Sequence, residues 1–168
     1  YKEGSDAAIA LADIACLEHT IASGELGMDL YRSSGAAANQ IRFKIYNPHH
    51  EVPLSDVLPM LEHMGLKVMD EIPHAIQPRA EGFEKIMIHD FGLETRDGSE
   101  VDPGAVRQIF QDAFIGVWRD EMESDGFNGL VLGAGLTWRQ VVILRTYCKY
   151  LRQAGIPFSQ PYMEETLA

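Results

Sequence analysis

The amino-acid sequence predicts an α+β fold of the ferredoxin-like type. This is a four-stranded antiparallel sheet with helices on one face, here followed by a C-terminal helical extension. Residues 40–92 read as strand, helix, strand and strand, which is most of a split βαβ unit. An alternating stretch at residues 26–33 provides one further strand, upstream of that unit. Residues 137–167 show only helical periodicity, which predicts the extension.

The N-terminal elements are a helix and a hairpin. Small and apolar residues recur at steps of three and four over residues 6–23, and Gly24 ends this pattern. Residues 26–33 and 40–46 both alternate apolar and polar side chains around a small-residue loop, which indicates an antiparallel hairpin. The upstream strand then takes the place of the fourth strand of a ferredoxin-like sheet. The sheet is therefore predicted to be permuted, in the order 26–33, 40–46, 84–91, 66–72.

Two helices are expected to cover one face of this sheet. Residues 54–64 carry apolar side chains at helical spacing. Asp102 and Pro103 form a strong helix start, because a carboxylate can cap the first N–H groups and proline suits the first helical position. In the extension, Thr137 and Gln140 have the spacing of a capping box.

The composition excludes several classes of partner. The net charge is −11, from 14 basic and 25 acidic residues, whereas nucleic acids and anionic membranes need a basic footprint. No apolar run approaches the ~20 residues of a membrane helix. Cys16 and Cys148 have no CxxC spacing, so reduced thiols and a cytoplasmic location are expected. The polar start, which lacks an initiator Met, is expected to have been cut from a longer chain.

No catalytic, cofactor or metal site is predicted from the residues. Gly133 and Gly135 follow an apolar run, but Trp138 occupies the third glycine position of a dinucleotide fingerprint, so a tight turn is expected. The six histidines show no HExxH or Cys/His spacing. The adjacent pair His49 and His50 opens a loop before a helix start, where an anionic small molecule could meet free N–H groups.

Two surfaces are candidates for contacts with a partner. The sheet face opposite the helices mixes charged, aromatic and methionine side chains, which suggests that the helix of residues 6–23 or a second copy covers it. Its interface candidates are Tyr31, Arg42, Tyr46, His89 and Phe91. The other surface is an aromatic stripe in the extension, which either packs on the sheet module or contacts a further domain or subunit. Its candidates are Trp138, Tyr147 and Tyr150.

Short runs along the chain suggest a family. They are RFKIY (42–46) with LSDVLPMLEHMGL (54–66), then IHDFGL (88–93), then ESDGFN (123–128), GLTWR (135–139), YLRQ (150–153) and PFSQ (157–160). Together they resemble the large bacterial NAD-specific glutamate dehydrogenases, collinearly over about residues 6–168. The resemblance implies the last ACT-like module of that family's N-terminal half and the start of its helical linker. The catalytic domain would lie beyond this stretch, so no catalytic residue is carried over.

The resemblance implies a division into an N-terminal helix (1–25), an ACT-like module (26–124) and a helical linker (125–168). ACT modules often bind amino acids at the loop after their first strand, which makes His49, His50, Glu51 and Leu54 the ligand candidates. The usual glycine is missing from this loop, which favours a role in interfaces.

The function implied is a non-catalytic regulatory and assembly segment of an NAD-dependent glutamate dehydrogenase. NAD would serve only the parent enzyme. The partners would be the rest of the polypeptide and other subunits of a homo-oligomer, with an amino-acid effector as a further candidate. The alternatives are a free-standing ACT-type amino-acid sensor and a small enzyme with an unrecognised site.

Overall fold

The structure is a computed structural model, and it describes residues 7–48, 52–77 and 85–167. The order of elements is α1 (Ala7–Ser23), β1 (Gly27–Tyr31), β2 (Gln40–Asn47), α2 (Leu54–His63), β3 (Leu66–Ile76), β4 (Ile86–Thr95), α3 (Pro103–Trp118), a 3-10 turn (Gly126–Gly129), α4 (Leu130–Gly133), α5 (Trp138–Gln153) and α6 (Gln160–Leu167). The four strands all precede α3, and the described chain after β4 is helical or irregular, as the sequence predicts.

The four strands form one antiparallel sheet in the order β1-β2-β4-β3. β1 pairs with β2 in the predicted hairpin, with Gly27 opposite Tyr46 and Tyr31 opposite Arg42. β4 lies between β2 and β3. The permuted order is therefore confirmed, because the upstream strand occupies the edge beside β2. The predicted α+β class, with an ACT-like sheet and a helical extension, is confirmed with it.

α2 and α3 cover one face of the sheet and build the hydrophobic core with it. Phe43 of β2 is fully buried. Its ring meets Phe110 and Phe114 of α3 edge-on, with centroids 5.1 and 5.0 Å apart. α2 adds the buried side chains of Val57 and Leu61 to the same cluster. Apolar packing between aromatic rings and aliphatic side chains therefore holds α2 and α3 on this face of the sheet.

The ends of the helices on this face follow local rules. Asp102 caps α3 by accepting a hydrogen bond from the Gly104 N–H at 2.9 Å, with Pro103 at the first helical position, as predicted. α2 begins directly after Pro53. β3 runs through Pro73 to its end at Ile76, four residues beyond the predicted end of this strand at residue 72. An edge strand tolerates proline because only one of its sides pairs with a neighbour.

The opposite face of the sheet is partly covered by α1, which packs on β1 and β2. α1 buries Asp13 and Thr20 but leaves Leu11 and Ile14 exposed. Periodicity alone suggests that the apolar side of this helix faces inward. The helix instead turns its Asp13 side toward the sheet, because Lys44 of β2 lies beneath it and the buried ammonium group needs a polar partner.

The side chains of β4 point to the opposite faces from those predicted. Phe91 lies opposite Phe43, and His89 lies opposite Ile45. Directly opposed residues of an antiparallel pair project to the same face, so both lie on the face that α2 and α3 cover. The prediction that His89 and Phe91 belong to the other face is wrong. The start of β4 is mostly apolar, so its sequence does not fix which alternate residues point inward.

A buried arginine attaches α5 to the turn that follows α3. Arg145 of α5 donates to both carboxylate oxygens of Asp125, at 2.8 and 2.7 Å, and to Asn128 Oδ1 at 2.6 Å. The capping box before α5 is confirmed, since the Gln140 side chain accepts from the Thr137 N–H at 2.9 Å. Within the described ranges, no helix is long and apolar enough to cross a membrane.

Candidate functional site

A buried ionic cluster attaches α1 to the sheet. Lys44 Nζ donates to both carboxylate oxygens of Asp13 at 2.8 Å, and the Tyr46 hydroxyl donates to Asp13 Oδ1. All three side chains are almost completely buried. Burial and the hydrogen bond to Asp13 raise the pKa of Tyr46 far above its usual range, so the hydroxyl stays protonated as a donor.

A second ionic cluster lies beside the first on the same face. Arg42 Nε donates to Asp90 Oδ1 at 2.8 Å, and Arg42 Nη2 donates to Asp70 Oδ1 at 3.0 Å. The Tyr31 hydroxyl donates to the other oxygen of Asp90 at 2.9 Å. Burial and the Asp90 charge raise the pKa of Tyr31. Gly92 makes room for this arrangement, because a Cβ at that position would collide with the Asp70 carboxylate.

These two clusters stabilise the fold and are not arranged for catalysis. Their carboxylates are occupied by a lysine, an arginine and two tyrosines of the same chain. General acid–base work needs a titratable group that faces a substrate pocket, and these groups face one another. Across the residues that the structure describes, no group of His, Cys, Asp and Glu could hold a metal ion.

The interface residues predicted on the sheet differ in how far they are buried. Tyr46 lies beneath α1 and Phe91 lies in the core, and both are fully buried within their own chain. Neither side chain is exposed on the surface of this chain, and contact of these two residues with a partner stays a prediction. His89 is also buried, with Nε2 lacking a hydrogen-bond partner in the described part of the chain. Tyr31 and Arg42 are half-buried, and their contact with a partner stays a prediction.

The predicted ligand loop is only partly within the described structure. His49, His50 and Glu51 lie outside the described residues. Leu54 is the first residue of α2, and its side chain is exposed. Ligand binding at this loop therefore stays a prediction.

The aromatic residues of the extension differ in exposure, and contact of Tyr147 and Tyr150 with a partner stays a prediction. Trp138 is half-buried and packs against the core cluster. Tyr147 and Tyr150 are exposed on the outer side of α5, and the exposed side chain of Ile143 continues the same row. Ile143 is not among the predicted residues, although it lies four and seven residues before the two tyrosines and therefore shares their side of the helix.

Sequence reasoning also missed the two carboxylates at the centres of the ionic clusters, Asp13 and Asp90. A signal for Asp13 exists in the spacing of Asp13, Cys16 and Thr20, which share one side of α1. That side is more polar than its neighbour. A polar side on α1, together with a lysine in the middle of β2, would have indicated that an ion pair attaches this helix to the sheet.

Comparisons with known proteins agree with the resemblance carried by the sequence. The family model "Glutamate dehydrogenase, ACT3 domain" matches residues 25–106. The family model "Glutamate dehydrogenase, helical motif 3" matches residues 122–168. The first match covers β1 to the start of α3, and the second covers the helices that follow the sheet module.

Three curated relatives match nearly the whole chain. Each is an NAD-specific glutamate dehydrogenase, with 35% identity over 167 residues for Halomonas elongata, 35% over 170 for Pseudomonas aeruginosa and 36% over 173 for Mycobacterium tuberculosis. Each alignment covers 99% of this chain but 10% of the relative, so the chain spans about a tenth of their length. The chain belongs to the NAD-specific glutamate dehydrogenase family, in which it corresponds to the third ACT domain and helical motif 3.

Proposed function

We propose that this chain is a non-catalytic regulatory and assembly segment of an NAD-dependent glutamate dehydrogenase. The observation that carries the proposal is the pair of family matches, to an ACT domain and to a helical motif. The ionic groups buried on the second sheet face support it, because they bind one another and fix a helix instead of facing a substrate. The segment then contributes shape and contacts to a larger protein.

The reaction belongs to the whole protein. The relatives are named NAD-specific glutamate dehydrogenases, which supports NAD as cofactor and L-glutamate as substrate. The parent reaction converts L-glutamate, NAD and water to 2-oxoglutarate, ammonia and NADH, in the cytoplasm. No residue of this chain is assigned to that reaction.

Within the parent, the three parts of the segment have separate roles. Residues 1–25 contain the helix that the ionic cluster attaches, residues 26–124 form the ACT-like module, and residues 125–168 lead into the helical linker. The partners are the rest of the polypeptide and other subunits of a homo-oligomer. An amino-acid effector would bind near the start of α2, at Leu54 and the loop before it.

The catalytic part of the proposal is tested by comparing the isolated 168-residue chain with the full-length polypeptide. NADH absorbance in the presence of L-glutamate and NAD is the measurement. The full-length protein is expected to form NADH, and the isolated chain is not. NADH formation by the isolated chain would refute a purely regulatory role.

The regulatory part is tested on the same two proteins. A thermal-shift series with the common L-amino acids is expected to raise the unfolding midpoint for an effector that binds the native chain. Light scattering over a range of concentrations measures assembly. If no amino acid changes the midpoint and both proteins remain monomeric, the segment is neither a sensor nor an assembly element.

A further inference from the structure

α5 carries apolar side chains on two opposite sides. Val141 and Cys148 are buried on the inner side, against the core cluster. On the outer side, Ile143 is 55% exposed, and Tyr147 and Tyr150 are each 64% exposed. A surface helix normally presents charged and polar residues to water, and a helix that is apolar on both sides is normally covered on both.

The outer row has the spacing of a helix–helix contact. Ile143, Tyr147 and Tyr150 follow at steps of four and three residues, which places them in one line along α5. A shallow groove, open to solvent, runs beside them, and among the described residues it is lined by α5 alone, with Val142 and Thr146 as its remaining lining. A straight apolar line beside a shallow groove is a surface into which the side chains of one further helix can fit.

The charges around this row indicate which kind of helix fits. α5 holds four basic residues and no acidic residue, although the chain as a whole has a net charge of −11. Arg145 is buried on the inner side and pairs with Asp125, Lys149 pairs with Glu123, and Arg152 donates to Gln160, which leaves Arg139 as the basic residue beside the row. Arg139 lies one turn before Ile143, and its guanidinium is 5.0 Å from the ring centre of its neighbour Trp138.

A second copy of α5 is a poor occupant for the groove. A second α5 offers Arg139 no carboxylate, because α5 contains no acidic residue, so it provides no charge complementarity for this row. A helix with acidic residues beside its apolar row would instead place carboxylates near Arg139 and the tyrosine hydroxyls. The relatives are about ten times longer than this chain, so a longer polypeptide has many segments that could supply such a helix.

We propose that the outer row of α5 docks an amphipathic helix with acidic flanking residues, supplied by another part of the same polypeptide. This inference rests on the proposed function, because it requires the chain to be a segment of the longer enzyme. Docking makes α5 the element that joins the ACT-like module to the rest of the subunit. The tyrosines are the anchors, since large aromatic side chains carry much of the energy of such contacts.

The test places a photo-crosslinking amino acid, p-benzoyl-phenylalanine, at position 147 of the full-length polypeptide. A matched control places it at Leu11, which is 69% exposed on the outer side of α1. The enzyme is assembled from equal amounts of isotopically light and heavy polypeptide, and crosslinked peptides are identified by mass spectrometry. The expected result is a crosslink from position 147 to an acidic helical segment outside this chain, with light–light and heavy–heavy products only.

Other outcomes overturn the inference. Mixed light–heavy products would show that another subunit fills the groove. A crosslink to a different protein or to a segment without acidic residues would also refute it, as would a yield at position 147 no higher than at position 11. Glutamate-dependent NADH formation by the same full-length protein tests the proposed function separately, so either idea can fail alone.

A double substitution gives a second readout. Tyr147→Ser with Tyr150→Ser is expected to leave the thermal midpoint of the isolated chain nearly unchanged, because both side chains are exposed there. In the full-length protein it should speed proteolytic cleavage near α5 by at least about tenfold, since an undocked helix opens more often. Equal cleavage of the variant and the parent would contradict docking at this row.

Discussion

The two faces of the sheet are held by different forces. On one face, α2 and α3 pack apolar side chains around Phe43. On the other face, α1 is attached by Asp13, which binds Lys44 and Tyr46 in a nearly water-free setting. Residues 43 and 44 are neighbours in the chain, and the alternation of a strand sends one to each face.

The two faces therefore tolerate different kinds of substitution. An apolar core responds to volume, because lost contacts and cavities cost free energy whatever the partner. An ionic cluster responds to pairing, because a charge left alone in a buried site is far more costly than a pair removed together. The ionic face also makes the position of α1 specific, since a shift of one residue along the helix would separate Asp13 from its partners.

The largest effect is expected on the apolar face. Phe43→Ala should lower the free energy of unfolding by about 3–5 kcal/mol, because it removes a fully buried ring and leaves a cavity between Phe110 and Phe114. Urea denaturation of the isolated chain measures this loss. A loss below about 1 kcal/mol would mean that α3 collapses into the space and that volume does not control this face.

The next effect separates pairing from volume on the ionic face. Asp13→Ala should cost about 3 kcal/mol, because it removes the buried carboxylate that accepts from both Lys44 and Tyr46. The triple variant Asp13→Leu, Lys44→Met and Tyr46→Phe removes the whole cluster and should recover most of that loss. Urea denaturation and amide exchange in α1 provide the measurements. If the triple variant is less stable than Asp13→Ala, the contrast between the two faces does not hold.

The smallest effect is a pH dependence that belongs to the ionic face alone. The folded-state pKa of Tyr46 is raised above the usual 10.0 by burial and by Asp13. Its stabilising contribution is therefore complete below pH 10.0 and is lost as the pH rises above that value, by roughly 1 kcal/mol per pH unit. Tyr46→Phe should show a shallower alkaline loss in urea titrations above pH 10.0. Parallel curves for parent and variant would contradict this linkage.

The parts of the fold that local rules control could be predicted from the sequence. The hairpin, the Asp102 cap and the permuted strand order follow from alternation and helix-start chemistry, which act over a few residues. The parity of β4 could not be predicted, because nearly every residue at its start is apolar. His89 and Phe91 were therefore placed on the wrong face, and only pairing with β2 decides between the two alternatives.

The candidate contact surfaces show the same limit. Tyr147 and Tyr150 were identified by residue type, but their exposure depends on which side of α5 meets the module. Arg145 fixes that side by its bonds to Asp125 and Asn128, which lie 20 and 17 residues away in the chain. Spacing along one helix carries no information about such distant partners.

The family, the order of the strands and the lack of a basic footprint can all be read from the residues alone, because they depend on residue identity and short-range pattern. Only the tertiary structure decided that α1 faces the sheet with Asp13 and that Tyr46 is buried beneath it. It also decided that α5 keeps a second apolar row outward. The physical reason is that charge pairing and burial join residues far apart in the chain. A helix can turn any of several sides inward, and the distant partner selects one of them.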